Sequence, residues 1–199
     1  MSWLSVILFA IAAGVYTGGI MLVDALKDTS FQDIGISHEW WVIFAVIIVV
    51  NCEKNWEAML KCFVFFMISQ PLVYTVEVLF GPLTLDMAMH YYRIWLPMIV
   101  LTLPGGFVAY YCKKQNLLGA VILSIGNTIQ VAFGVYYLAQ AITNFPHHLL
   151  SSLICFGSML LMSFQIQKGR RNRLISILLP VVLLAILLVF LKLSGRTFF

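Results

Sequence analysis

Seven apolar runs fill most of the chain, and only short polar segments separate them. The runs cover residues 3–23, 40–52, 58–80, 94–112, 117–140, 147–166 and 174–193. A helix needs about 20 apolar residues to cross the hydrocarbon core of a bilayer, and all runs but the second approach that length. Helices also bond their own backbone groups, which lipid cannot do. The pattern therefore predicts an all-α fold: a polytopic integral membrane helical bundle with about seven transmembrane helices.

The composition excludes a soluble globular protein. Hydrophobic residues make up 62% of the chain and charged residues 10%, whereas a soluble domain carries about 25% charged residues. After seven helices and their loops no length remains for a separate domain, so residues 1–199 are predicted to form a single transmembrane domain. The basic residues follow the membrane topology, and we expect the lipid bilayer, not nucleic acid, as their partner.

Basic residues alternate between the two sets of loops, which predicts the orientation of the chain. One set of segments holds Lys54, Lys61, Lys113, Lys114, Lys168, Arg170, Arg171 and Arg173. The other set holds Lys27, Arg93, Lys192 and Arg196. The richer set belongs in the cytoplasm, so we expect a multi-pass plasma-membrane protein with a cytoplasmic N-terminus and an extracytoplasmic C-terminus.

The second run leaves an alternative open. Residues 40–52 would form a helix of roughly 20 Å, against a hydrocarbon core of about 30 Å. If this run does not cross, six helices span the membrane, the N-terminus lies outside and residues 24–57 lie inside. The orientation of everything downstream is the same in both topologies.

Two runs contain residues that interrupt helices. Ser69-Gln70-Pro71 lies near the middle of the third run, and Pro104-Gly105-Gly106 interrupts the fourth. Proline removes a backbone donor and clashes with the preceding turn. Interrupted helices at matching depth are typical of transporter binding sites, although packing kinks are the alternative. We therefore expect broken helices beside a polar cavity among the third to sixth spans.

Polar residues at helical spacing indicate which side chains would line that cavity. Three residues of the third run share a face, and so do three of the fifth. The predicted substrate-binding residues are Gln70, Tyr74, Glu77, Arg93, Asn127, Gln130 and Tyr137. Hydrogen bonds between helices would explain the amides equally well. The carboxylate of Glu77 would either pair with Arg93 or serve substrate binding or proton coupling.

The histidines suggest a second kind of site. All four are predicted at extracytoplasmic ends of spans, on the same side as Asp86 and other carboxylates. Imidazole and carboxylate groups together suit a transition metal or acid–base catalysis. The spacing matches no metal motif, so the metal ligands, if any, would be His90, His147 and His148. The sequence assigns no catalytic residue and no cofactor.

Three functions remain open on these observations. The first is a small-solute transporter, or the substrate-binding membrane subunit of a transporter. The second is a membrane-embedded enzyme with an extracytoplasmic histidine–carboxylate site that acts on a lipid or lipid-linked substrate. The third is an accessory or scaffold membrane subunit. Their partners would be a small-molecule or lipid ligand, a partner membrane subunit or further copies of the chain.

Overall fold

The computed structural model describes residues 1–36 and 38–193, with side chains for residues 1–33 and 39–190. The side chains of His38, Lys192 and Arg196 lie outside the described residues. Within that part, the chain forms eight α-helices and no strand. They are α1 (Trp3–Met21), α2 (Ser30–Ile36), α3 (His38–Val50), α4 (Asn55–Phe80), α5 (Leu85–Ala109), α6 (Leu117–Thr143), α7 (Leu149–Ile166) and α8 (Arg170–Leu193). Six of the described helices, all but α2 and α3, are long and apolar enough to cross a membrane.

Side-chain caps fix where three of these helices begin. The hydroxyl of Ser2 accepts a hydrogen bond from the amide of Ser5 at 3.1 Å before α1. Thr84 precedes α5 and caps it in the same way, and Asn116 caps α6. Such residues satisfy backbone donors that have no partner within the helix. Because Thr84 caps α5, this helix begins at Leu85, well before the apolar run that starts at residue 94.

The expectation of broken helices is wrong. Helix α4 continues through Pro71, and α5 continues through Pro97 and Pro104. A proline removes one backbone donor, and packing against neighbouring helices tolerates that loss. Helix α5 extends from Leu85 to Ala109, so Pro104 lies near its C-terminal end and not at its middle. Gly106 of α5 lies against Ala58 of α4. Because the two helices are antiparallel, Pro104 lies level with residue 60 of α4, eleven residues before Pro71. At 1.5 Å per residue, the two prolines therefore differ in depth by about 16 Å.

The chain divides into two compact units, Met1–Tyr110 and Tyr111–Phe199. In the first unit, α1 and α4 run parallel and approach closely at two glycines. A Cβ atom on Gly14 would lie 2.7 Å from the carbonyl oxygen of Ser69, and one on Gly18 would lie 2.7 Å from that of Val73. The Gly14–Gly18 spacing is the small-residue pattern that brings membrane helices together.

The segment between these parallel helices returns to the end where α1 begins. The amino group of Met1 donates to the carbonyl oxygen of Asn51, just after α3, at 3.0 Å. Helix α3 is held to α1 and α4 by a cluster of aromatic rings, with centroids 5.0 to 6.1 Å apart. Its members are Phe9, Trp41, Phe44, Phe65 and Phe66. These contacts explain why a helix of 13 residues has a fixed place in the first unit.

In the second unit, α6 packs against both α7 and α8. Val131, Met159 and Leu184 form its apolar core, one residue from each helix. Gly134 leaves room for the ring of Phe156, which lies 3.0 Å from where a Cβ atom would be. The unit is therefore a three-helix bundle with α6 as its central helix.

Candidate functional site

Helix α4 carries three of the predicted binding residues along one face. Gln70 is buried, and its Nε2 atom has no hydrogen-bond partner among the described residues. The adjacent Ser69 is also buried, and its hydroxyl likewise lacks a partner there. Tyr74 and Glu77 follow towards the end of the helix and are both half-buried. The polar face thus runs from the packed interior of the first unit to a partly exposed end.

An aromatic pair links this face to α5. The rings of Tyr74 and Tyr91 are stacked, with centroids 6.2 Å apart and planes 18° from parallel. His90 meets the same tyrosine edge-on at 5.9 Å. Glu77 lies about one helical turn beyond Tyr74. The structure therefore gathers a carboxylate, two tyrosines and a histidine at one end of α4 and α5.

Arg93 is exposed and forms no ion pair with Glu77 in the part of the chain that the structure describes. Helices α4 and α5 are antiparallel, so residues that follow Tyr91 lie level with residues that precede Tyr74. Glu77 and Arg93 are therefore about 7 Å apart along the helix axes, on opposite sides of the tyrosine pair.

The polar residues of the second unit form bonds between its helices. Asn127 is fully buried, and its Nδ2 donates to the hydroxyl of Ser163 at 3.0 Å and to the carbonyl oxygen of Ser176 at 2.9 Å. Gln130 is also fully buried and accepts from the hydroxyl of Ser158 at 3.1 Å. These two amides connect α6 to α7, and Asn127 connects it to α8 as well.

Tyr137 lies one helical turn beyond Gly134 on the same buried face of α6. Its ring stacks on that of His148, with centroids 5.7 Å apart and planes 16° from parallel. His148 has a left-handed backbone with φ of 64° and immediately precedes α7. The predicted residues of the second unit thus contact other side chains or backbone of that unit.

The three histidines with described side chains do not form a metal centre with other described residues. His90 and His147 are exposed, and His148 stacks on a tyrosine. Among the residues with described side chains, no group of three or more His, Cys, Asp or Glu is placed to hold a metal ion.

Two sets of polar contacts were not expected from the sequence. The first set surrounds Lys61 of α4, which is 2% exposed. Its ammonium group pairs with Glu57 and donates to the carbonyl oxygen of Met1. It also lies 5.5 Å from the centre of the Trp3 ring. The Glu57–Lys61 spacing of four residues is a helical ion-pair signal that would have identified the pair.

The other set lies where α6 begins and α7 ends. Gln167 is buried and donates to the carbonyl oxygens of Cys112 at 2.6 Å and Lys114 at 3.2 Å. Gln115 donates to the carbonyl oxygen of Ile166 at 2.7 Å. These bonds place the basic residues that flank α6 and α8 at the same end of the second unit. No sequence pattern identifies such loop contacts in advance.

Six of the described helices are long and apolar enough to cross a membrane, which indicates a multi-pass α-helical membrane protein. The predicted binding residues fall into two sets, with Gln70, Tyr74, Glu77 and Arg93 in the first unit and Asn127, Gln130 and Tyr137 in the second. No protein-family model, no curated protein and no solved structure matches the chain. The assignment of a function therefore depends on the geometry of these two sets.

Proposed function

We propose that the chain is a small-solute carrier, or the solute-binding membrane subunit of one, and that its solute is a small organic cation. The supporting observation is Glu77, a half-buried carboxylate in an apolar helix, which forms no ion pair among the described residues. A half-buried carboxylate without a cationic partner is costly, and in membrane proteins such groups mark substrate or ion pathways. An ammonium group would supply the missing positive charge.

The aromatic pair beside Glu77 favours an organic cation over a metal ion. Tyrosine rings attract ammonium groups through their electron-rich faces, by about 0.5–2 kcal/mol according to solvation. Tyr74 and Tyr91 lie at the same end of the two helices as the carboxylate. Glu77 is close to the end of α4, which is longer than the hydrocarbon core is thick. The site would therefore receive the solute near the membrane surface, with Gln70 deeper along the same face.

A charged probe and its neutral isostere test this proposal. Purified protein in detergent is heated with choline or with 3,3-dimethyl-1-butanol, which has the same shape without the charge. We expect choline to raise the unfolding temperature of the wild type and of Asp86→Asn, a nearby exposed control, but not that of Glu77→Gln. Uptake of labelled choline into proteoliposomes should follow the same order. If the Glu77→Gln protein binds choline as the wild type does, the proposal fails; if no organic cation binds, the accessory-subunit alternative is favoured.

We also propose that the chain crosses the plasma membrane seven times and that its N-terminus lies in the cytoplasm. The parallel packing of α1 and α4 supports this topology, because a chain must cross back between two parallel spans. The returning segment consists of α2 and α3. The basic side chains gathered at one end of the second unit support a cytoplasmic location for that end.

Single cysteines, introduced after the four native cysteines have been replaced by serine, distinguish seven crossings from six. The Asp28→Cys and Glu53→Cys variants place a thiol on each side of the α2–α3 segment, and Asp86→Cys serves as the extracytoplasmic reference. On intact cells, an impermeant maleimide should label residues 28 and 86. It should label residue 53 only after the cells are permeabilised. Labelling of residue 28 only after permeabilisation would establish the six-crossing topology instead.

A further inference from the structure

An apolar groove of about 750 Å³ opens along the second unit between α6 and α8. Leu117 lines it from α6, and Leu174, Leu178 and Val182 line it from α8. Its lining is almost entirely apolar, and Arg170 and Arg171, which begin α8, border one end of it. The groove is thus an open apolar surface with two exposed arginines at one end.

The length of this groove matches one leaflet of a bilayer. Arg170, Leu174, Leu178 and Val182 recur every four residues, so they follow one face of α8. Twelve residues from the first to the last span about 18 Å of helix, and half of a hydrocarbon core is about 15 Å. An acyl chain that lay along this face would place its headgroup beside the arginines.

The second unit has a large excess of basic over acidic residues, which favours an anionic ligand. Residues 111–199 contain no Asp and no Glu, while eight of the twelve Lys and Arg residues of the chain lie there. Arg170 and Arg171 are exposed and form no ion pair in the described part of the chain. Arg173 differs, since its Nε donates to the carbonyl oxygen of Gln167 at 2.6 Å and its guanidinium lies 5.3 Å from the ring of Phe164.

We infer that the groove binds an anionic glycerophospholipid. Its phosphate lies against the guanidinium groups of Arg170 and Arg171, and one acyl chain lies along Leu174, Leu178 and Val182. Guanidinium groups bind phosphate through paired hydrogen bonds, and basic pockets between membrane helices select anionic headgroups. Free phosphate would leave the apolar groove unfilled, and a zwitterionic lipid would bring no net negative charge to the two arginines. This site is independent of the proposed cation site.

Native mass spectrometry of the full chain in detergent tests the site with three probes: phosphatidylglycerol, phosphatidylcholine of the same chain length, and inorganic phosphate. We expect phosphatidylglycerol to bind at least about tenfold more tightly than phosphatidylcholine. The Arg170→Gln/Arg171→Gln double variant should abolish that preference. The Lys113→Gln/Lys114→Gln double variant removes the same charge from the same end of the unit, outside the groove lining, and should retain it.

A groove-filling variant separates the apolar part of the site from its charge. Leu178 is exposed, so Leu178→Trp is expected to fold and to weaken binding of phosphatidylglycerol while both arginines remain. Equal loss in the two double variants would show a general electrostatic attraction and overturn the proposal. Equal binding of the two lipids, or complete displacement of phosphatidylglycerol by inorganic phosphate, would overturn it as well.

Discussion

Replacement of Asn127 by leucine tests whether the polar face of α6 holds helices together. The side chain is fully buried, and its Nδ2 donates to Ser163 on α7 and to the carbonyl oxygen of Ser176 on α8. Leucine has a similar shape and cannot donate. Hydrogen bonds between membrane helices contribute about 0.6 kcal/mol on average, and up to about 1.7 kcal/mol. Loss of both bonds should therefore lower the free energy of unfolding by about 1–3 kcal/mol.

The side-chain oxygen of Asn127 reduces this expected loss of stability. The Oδ1 atom of Asn127 is buried and has no hydrogen-bond partner among the described residues, so leucine also removes a desolvated acceptor. That gain places the expected loss at the lower end of the range, near 1 kcal/mol.

The free energy of unfolding can be measured by titration with sodium dodecyl sulfate in mixed micelles. Asn127→Leu, Ser163→Ala and their combination form a double-mutant cycle, for which we expect a coupling near 0.6 kcal/mol. The exposed Gln165 on α7 provides a control, and Gln165→Leu should change stability little. A more stable Asn127→Leu protein with no coupling to Ser163 would refute a structural role. It would return Asn127 to the solute-binding residues that the sequence suggests.

Two further substitutions have controls within the chain. Gly18→Ala should destabilise the protein by about 1–3 kcal/mol through overpacking, because the new Cβ atom would lie 2.7 Å from the carbonyl oxygen of Val73. Gly19→Ala is the control and should be tolerated, because nothing lies within 4 Å of a Cβ atom on Gly19. Thermal unfolding in detergent compares the two, and equal stability would contradict the close packing. Lys61→Met should lower stability by about 1–3 kcal/mol, because the carbonyl oxygen of Met1 and the Oε1 atom of Glu57 lose this donor. Lys54→Met at an exposed position should have little effect, and equal losses in the same assay would contradict this role of Lys61.

The apolar runs predicted the positions of the long helices well, but they did not predict where α5 begins. Hydrophobicity marks the part of a helix that lies in hydrocarbon, and α5 continues beyond that part to Leu85. The residues of this extension include Asp86 and His90, which water can solvate. The cap at Thr84 was the available signal for the start of the helix.

The prolines show what a single sequence leaves open. Pro71 weakens its helix locally, but whether the helix breaks depends on the helices that support it, and α1 packs closely against α4 just before and after this proline. Likewise, the spacing of Asn127 and Gln130 predicts a shared face without identifying partners. Those partners, Ser163 and Ser158, lie on another helix. Sequence spacing therefore gives the face, and only tertiary packing decides between a cavity and a bonded interface.

The charges of the two units provide a common basis for the two binding proposals. All eight carboxylates lie in residues 1–110, and none lies in residues 111–199. Two of them pair with lysines of the first unit, Asp24 with Lys27 and Glu57 with Lys61, whereas Glu77 pairs with no cation of the described chain. The basic residues of the second unit have no carboxylate in that unit with which to pair. A membrane protein compensates such charges with a ligand or with lipid headgroups. Glu77→Gln should therefore remove choline binding and leave phosphatidylglycerol binding intact, and the Arg170→Gln/Arg171→Gln variant should do the reverse.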